Sequence, residues 1–291
     1  MTDAALAEAD RAWELAAGAA GVRIAELTGV AEFAAACQLF DEVWQPDPGS
    51  RPMTAELMRA LTKAGNYAVG AYRGELLVGA SVAFFGPPAD RALHSHVTGV
   101  HDPGHGTGYA IKLHQRAWCL RRQTPVMHWT FDPLIRRNAY FNLVKLAARP
   151  AEYLPDFYGE MRDAINSDGD TDRLLVRWDL RAPAVAAACA GKLNPASVPD
   201  ERARGAVTAL SPAAAGGTVA ADVSLMAGPG VVLVAVPDDI ERLRVTDPAA
   251  ARAWRAALRD VLAPAMAAGA SITGFDQAGW YVVAITKEDS E

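Results

Sequence analysis

An α+β fold is predicted for this chain on three observations. Over the first 180 residues, short alternating apolar runs interleave with runs of helical period in the order β, α, α, β, β, β, α, β, α, β, β. Arg73-Gly74 stands as a turn between YAVGAYR and ELLVGASVAFFG and marks a hairpin. Beyond Leu180 the composition shifts to Ala, Pro, Asn and Arg, and a second, smaller set of strands with one long helix follows. The expected boundaries are an amino-terminal helix over 1–21, a main domain over 22–180, a linker over 181–204 and a small α+β domain over 205–291.

The elements follow from local pattern. Residues 3–19 read as a helix, either an appendage or part of an interface such as a homodimer's. VRIAELT (22–28) is a strand, and VAEFAAACQLFDEVW (30–44) is an amphipathic helix with Phe33, Cys37 and Phe40 on one side. QPDPGSRP is a loop, Thr54 caps the next helix, and Gly65 stops it. After the hairpin and the turn PPADRA comes LHSHVTGV, whose alternation puts Leu93, Ser95, Val97 and Gly99 on one face and His94, His96, Thr98 and Val100 on the other. VMHWTF is a buried strand, and DPLIRRNAYFNLVKLAAR reads as one helix begun by Asp132 and Pro133. AEYLPDFYG is a short strand or extended turn, and RLLVRWDL (173–180) a strand. The small domain has strands at AVTAL, TVAADVSLM, VVLVAVP, SITGF and WYVVAIT, with a helix over 249–267.

The organising stretch is Leu93 to Leu120: strand, glycine loop HDPGHGTG, then the helix YAIKLHQRAWCL. Ala110, Leu113, Ala117 and Leu120 make its apolar stripe, leaving Lys112, Gln115 and Arg116 mostly off it. A helix start offers unpaired N–H groups and the positive end of the dipole to an anion, and Gly104, Gly106 and Gly108 remove side chains that would block one. The same loop also reads as a plain structural turn. The Walker lysine and Ser/Thr are missing after the last glycine. A dinucleotide fingerprint wants an acidic residue at the end of the next strand, where Asp132 does stand, so that reading is weakened but stays open.

Gly106-Thr107-Gly108-Tyr109-Ala110 resembles the second half of the loop of the GNAT superfamily of acyl-CoA N-acyltransferases, and HSHVTGV, WTFDPLIRRNAYFN, FYGEMRDAIN and DRLLVRWDL together resemble a predicted bacterial GNAT subgroup. The likeness runs from about Val22 to Leu180 and continues more loosely beyond. It implies a mixed, mostly antiparallel sheet with helices on both faces, two central strands that splay apart around the pantetheine arm, and acyl-CoA, acetyl-CoA by default, as substrate. One departure stands out: Pro103 occupies the place of the family's Gln or Arg, and the loop is about two residues short, so fewer amides reach the pyrophosphate.

Bulk properties set limits. The 291 residues suffice for one large or two modest domains, and 51% are hydrophobic. A net charge of −6 without a basic run argues against nucleic acid as partner. Cys37, Cys119 and Cys189 show no zinc spacing and read as reduced thiols of a cytoplasmic protein. The amino terminus lacks the pattern of a signal peptide, and no run nears the ~20 apolar residues of a membrane span.

The chemistry implied is transfer of an acyl group from coenzyme A to a small amine such as an amino acid's. The resemblance assigns the pyrophosphate to Gly104, His105, Gly106, Thr107, Gly108 and Tyr109, and carbonyl polarisation to backbone amides at Val100 and its neighbours. Lys112, Arg116 or Arg121 are candidates for the outer phosphates. His96, with His94 beside it, suits removal of a proton from an ammonium; the alternative is a pair of histidines satisfied by backbone carbonyls. No third ligand stands at a spacing that would make a metal site of them. Laying the family's helix pattern on Lys145-Leu146-Ala147 puts Leu143 where the acid tyrosine belongs, so Tyr140 and Asn138 are the nearest replacements. Arg136 and Arg137 could hold a substrate carboxylate. Two other classes compete: a GNAT-fold module that binds an acyl-CoA-like ligand without turnover, and an acyl-CoA enzyme of other chemistry, such as a decarboxylase.

Overall fold

The structure is a computed structural model that describes residues 3–47, 49–101, 103–159, 170–213 and 219–286. In chain order it has α1 (Ala4–Ala20), β1 (Arg23–Glu26), α2 (Val30–Trp44), α3 (Ala55–Lys63), β2 (Tyr67–Arg73), β3 (Leu76–Phe85), β4 (Ala92–Val100), α4 (Thr107–Arg121) and β5 (Val126–Phe131). Then come α5 (Arg136–Tyr140), β6 (Arg149–Leu154), β7 (Arg173–Asp179), α6 (Pro183–Cys189), α7 (Val198–Ala203), β8 (Val207–Pro212), β9 (Val219–Ala221), β10 (Gly230–Ala235), α8 (Ile240–Thr246), α9 (Pro248–Ala267), β11 (Ser271–Asp276) and β12 (Trp280–Ile285). Most of FYGEMRDAIN, from Glu160 on, lies outside the described residues.

Strand pairing gives a seven-stranded sheet, β1-β2-β3-β4-β5-β7-β6, and a five-stranded one, β11-β12-β10-β8-β9. In the first, β1 to β4 are successive antiparallel neighbours, β4 and β5 are parallel, and β6 pairs antiparallel with β7. This is the mixed, mostly antiparallel sheet expected from the sequence, with a further sheet in the carboxy-terminal part. No described helix is long and apolar enough to cross a membrane.

The described residues form two compact units: those of 3–129 with 178–190, and those of 130–159 with 170–177 and 191–286. In the first, Phe33, Cys37, Phe40, Met53 and Met58 from α2, α3 and the loop between them pack with Val82 and Val97 on one face of the sheet. The other face carries α4. In the second unit, Trp254, Leu258, Val261 and Leu262 of α9 are buried, as are Leu233, Val234, Phe275 and Tyr281 of its sheet.

Four local expectations are corrected. The helix after the glycine loop is not amphipathic in burial: every residue from Ala110 to Leu120 is buried. α1 supplies the cover, with Trp13 edge-on to His114 at 4.9 Å and Glu8 accepting from Arg116 at 3.0 Å. Residues 132–149 do not make one helix; α5 is short and runs into a π-helical turn, Phe141–Lys145, because Asp132 and Pro133 form a turn of their own first. The stretch 181–204 holds α6 and α7, with proline in the first turn of each; its alanines are helix formers and not linker filler. Of TVAADVSLM, Val219–Ala221 is a three-residue strand, and Val223–Ala227 is a 3₁₀ turn.

Candidate active site

The strand expected to organise the chain does so through an irregularity. On β4, Val97 pairs with Val82 and Ser95 with Ala83, which leaves His96 as an extra residue. A bulge of this kind turns two neighbouring side chains to the same side and bends the strand. The face assignment read from simple alternation is therefore corrected. Ser95 bonds Gln115 of α4, and Thr98 bonds Ser81, which itself accepts from Gln115, so Ser95 and Thr98 face α4. Val97 packs with the α2–α3 cluster, and a Cβ on Gly99 would meet Phe40 at 3.0 Å and Trp44 at 2.9 Å, so these face the other way.

Beside the bulge, the parallel pairing of β4 with β5 stops. It covers Ala92, Leu93 and His94 against Val126, Met127 and His128, and no residue after them. The pairing thus ends before Ser95 on β4 and Trp129 on β5. His101 N–H donates to Val78 O of β3 at 3.0 Å, so in the antiparallel pattern the amides of Val100 and Thr98 turn to the β5 side, where β4 has lost its partner. Val100 was expected from the sequence; Thr98 became visible only with the register.

The glycine loop follows directly. Gly104 and Gly106 have φ of 105° and 82°, in the left-handed region, and Gly106 is the residue before α4. A Cβ at Gly104 or Gly108 would meet nothing within 4 Å. Gly104, His105 and Gly106 are exposed, while Thr107 is buried, with Cγ2 3.2 Å from where a Cβ on Gly79 would stand. Tyr109 offers only its backbone here, since its hydroxyl donates to Cys189 O at 3.3 Å and burial pushes its pKa up to about 12.

Both histidines lie on the α2–α3 face, their rings tilted against Phe84 at 5.2 Å (His94) and 5.6 Å (His96). His94 is half-buried, and burial, with His96, Lys112 and His128 nearby, lowers its pKa to about 4. His96 is exposed; partial desolvation lowers its pKa, opposed by a hydrogen bond to the Pro52 backbone. Among the described residues no group of three or more His, Cys, Asp or Glu could hold a metal ion. Burial drives the Cys119 thiol far up, which suits packing and not nucleophilic attack.

The basic residues of α4 do not serve outer phosphates. Arg116, 1% exposed, donates to Leu180 O and pairs with Glu8, and Arg121 pairs with Asp10. Lys112 is 6% exposed, with Nζ 2.8 Å from Ser95 Oγ and 4.0 Å from the Trp129 ring centre. Desolvation lowers its pKa from 10.5 to about 7. Burying that charge costs stability below about pH 7, and the cost disappears as pH rises to 10.5, where the unfolded chain also loses the proton. Lys112→Met is expected to raise stability at pH 7 by about 1–4 kcal/mol, since Gln115 still satisfies Ser95. Urea unfolding at pH 7 and pH 9 checks this: the gain should shrink at the higher pH.

Asn138 and Tyr140 belong to the second unit and are half-buried on α5. Tyr140 lines a cleft of 380 Å³ with Arg136, Arg137, Asp238, Glu241 and Gln277. Arg136 and Arg137 are committed to protein partners, Arg136 to Gln277 O and Asp238 at 2.9 Å each and Arg137 to Glu241 at 2.8 Å, so a substrate carboxylate would have to displace them. Asp132 is no base. It is 4% exposed, bound through both oxygens to Arg255 at 2.8 and 2.7 Å, and paired with Arg244.

No family model and no curated protein matches the chain. Solved structures do. The ribosomal-protein-S18-alanine N-acetyltransferase of Escherichia coli is 11% identical, with a TM-score of 0.42 over 55% of this chain and 95% of that one. An N-acetyltransferase of Staphylococcus aureus Mu50 is 14% identical, with a TM-score of 0.44 over 55% and 99%. A protein from Salmonella typhimurium solved with acetyl-CoA as its cofactor is 15% identical, with a TM-score of 0.41 over 57% and 98%.

Proposed function

We propose that the chain transfers an acyl group from coenzyme A to the amine of a small molecule. The observation that carries this reading is the parting of β4 from β5 immediately beyond His94 and His128, beside the bulge at His96 and on the strand that runs into the glycine loop. The gap supplies a slot for an extended arm, and the amides of Thr98 and Val100 face it as donors to a thioester carbonyl. The loop and the first turn of α4 present N–H groups to a pyrophosphate. His96, neutral and exposed on the strand, takes the proton from the incoming ammonium. Attack of the amine forms the C–N bond and expels the thiolate. The expelled thiolate takes its proton from solvent.

The direct test is release of free thiol from acetyl-CoA and other acyl-CoAs against a panel of small amines. Amine-dependent release supports the transferase; tight binding without release would leave a ligand-binding module. The loop has its own test. Gly108→Val should weaken acyl-CoA binding by about tenfold or more through loss of close backbone approach. Because a side chain there meets no protein atom within 4 Å, the variant should still fold. Unchanged affinity by calorimetry would make the loop structural.

A further inference from the structure

Lys112 stands at the vertex of the parting strands. Its Nζ touches Ser95, the first residue of β4 beyond the pairing, and lies over Trp129, the first of β5 beyond it. The surrounding polar groups are buried and rich in donors. Gln115 Nε2 reaches Ser81 Oγ at 3.0 Å and Ser95 Oγ at 3.1 Å, and Ser81 Oγ lies 2.7 Å from Thr98 Oγ1. Among the described residues no carboxylate pairs with Lys112; the ionisable groups acting on it or acted on by it are His94 on β4 and Cys119 on α4. An ammonium here has three donors and one hydroxyl oxygen to receive them. Burial accordingly favours the neutral amine, and an anion arriving beside it would restore the charge.

We infer that Lys112 selects the donor: it receives the free carboxylate of a short dicarboxylic acyl group, malonyl or succinyl, carried on coenzyme A. The inference rests on the acyl-CoA reading of the gap and adds the acyl class. Because His96 is the extra residue, Thr98 and Ser95 stand opposite Ser81 and Ala83, two steps of β3 apart, roughly 7 Å at 3.3 Å each. Hydrogen bonds of about 2.9 Å at the thioester carbonyl and at the far carboxylate run across the strand, so a chain of a few carbons bridges that span. Acetyl ends short of the lysine, and an uncharged chain of the same length brings it no counter-charge.

The test is calorimetric titration of the full chain with CoA and with acetyl-, propionyl-, malonyl- and succinyl-CoA, repeated on Lys112→Met and Lys112→Arg. Malonyl- or succinyl-CoA is expected to bind about 10- to 100-fold more tightly than acetyl-CoA, the range of a hydrogen bond to a charged group. Lys112→Met should lose that advantage while keeping the acetyl-CoA affinity, and Lys112→Arg should keep part of it. Equal binding of the propionyl and dicarboxylic forms, or an advantage that survives Lys112→Met, overturns the inference. If neither CoA nor any thioester binds, the donor reading falls, and free succinate becomes the probe, read on the Lys112 side-chain amine by NMR. An upward shift of that amine's titration then supports an anion site at Lys112, and no response overturns it.

Discussion

His96→Ala is expected to lower turnover by about 10²- to 10⁴-fold, the usual contribution of a positioned general base. The backbone dictates the choice of His96 over His94. The bulge makes His96 the residue without a partner on β3, and its ring is exposed where His94 is half-buried. Its hydrogen bond with the Pro52 backbone employs one ring nitrogen as donor, which in neutral imidazole leaves the other as acceptor for a substrate proton. Desolvation lowers the pKa below 6.5, so the neutral form prevails at pH 7. Turnover should be flat above that value and fall as pH drops through the lowered pKa. The variant should lack this acidic limb, and His94→Ala should cost much less. A variant with the parental profile would remove His96 from the chemistry. Stability should change little, because an exposed ring leaves little behind when removed.

The strand, the glycine loop and the helix after it are legible in the sequence because each is a local pattern. Alternation marks β4, glycines with positive φ mark the loop, and Thr54 at its cap marks α3. What reads poorly is decided at a distance. An extra residue at His96 changes no letter of the pattern, yet it moves Val97 and Thr98 to opposite faces from those that alternation assigns. The polar side of α4 is ordinary for a surface helix; instead Lys112 and Gln115 turn to Ser95 and Ser81 of the sheet, and Arg116 is covered by Glu8 of α1, about a hundred residues earlier in the chain. By its place off the apolar stripe Lys112 reads as a candidate for the outer phosphates, although it sits at the strand vertex. Asp132 followed by proline has the form of a helix start. Its fate is set by Arg244 and Arg255, more than a hundred residues later, which no local window contains.

Asp132→Ala is expected to destabilise the second unit by about 3–5 kcal/mol, the cost of stripping one partner from a buried ion pair. Arg255, 8% exposed, donates twice to this carboxylate, and Arg244 pairs with it as well. Oδ1 also accepts the Leu134 N–H at 2.9 Å, which holds the turn before α5. Burial alone would raise the Asp132 pKa, but Arg255, Arg244 and Arg173 overcome it and hold the carboxyl well below its ordinary range. The sign follows: the contribution is complete above the ordinary value of 3.8 and is lost only as pH falls below it, so the variant's deficit should be constant from neutral pH down to about 4. Asp132→Asn keeps the turn acceptor but not the charge, and it should recover a minor part. The double variant Asp132→Leu with Arg255→Met should recover more, because a buried ion pair exchanged for packed apolar groups is often neutral or better. Urea unfolding of the four proteins decides. A loss under about 1 kcal/mol in Asp132→Ala, or a double variant no better than the single, would show that the two arginines find other acceptors and that Asp132 is not the centre of this network.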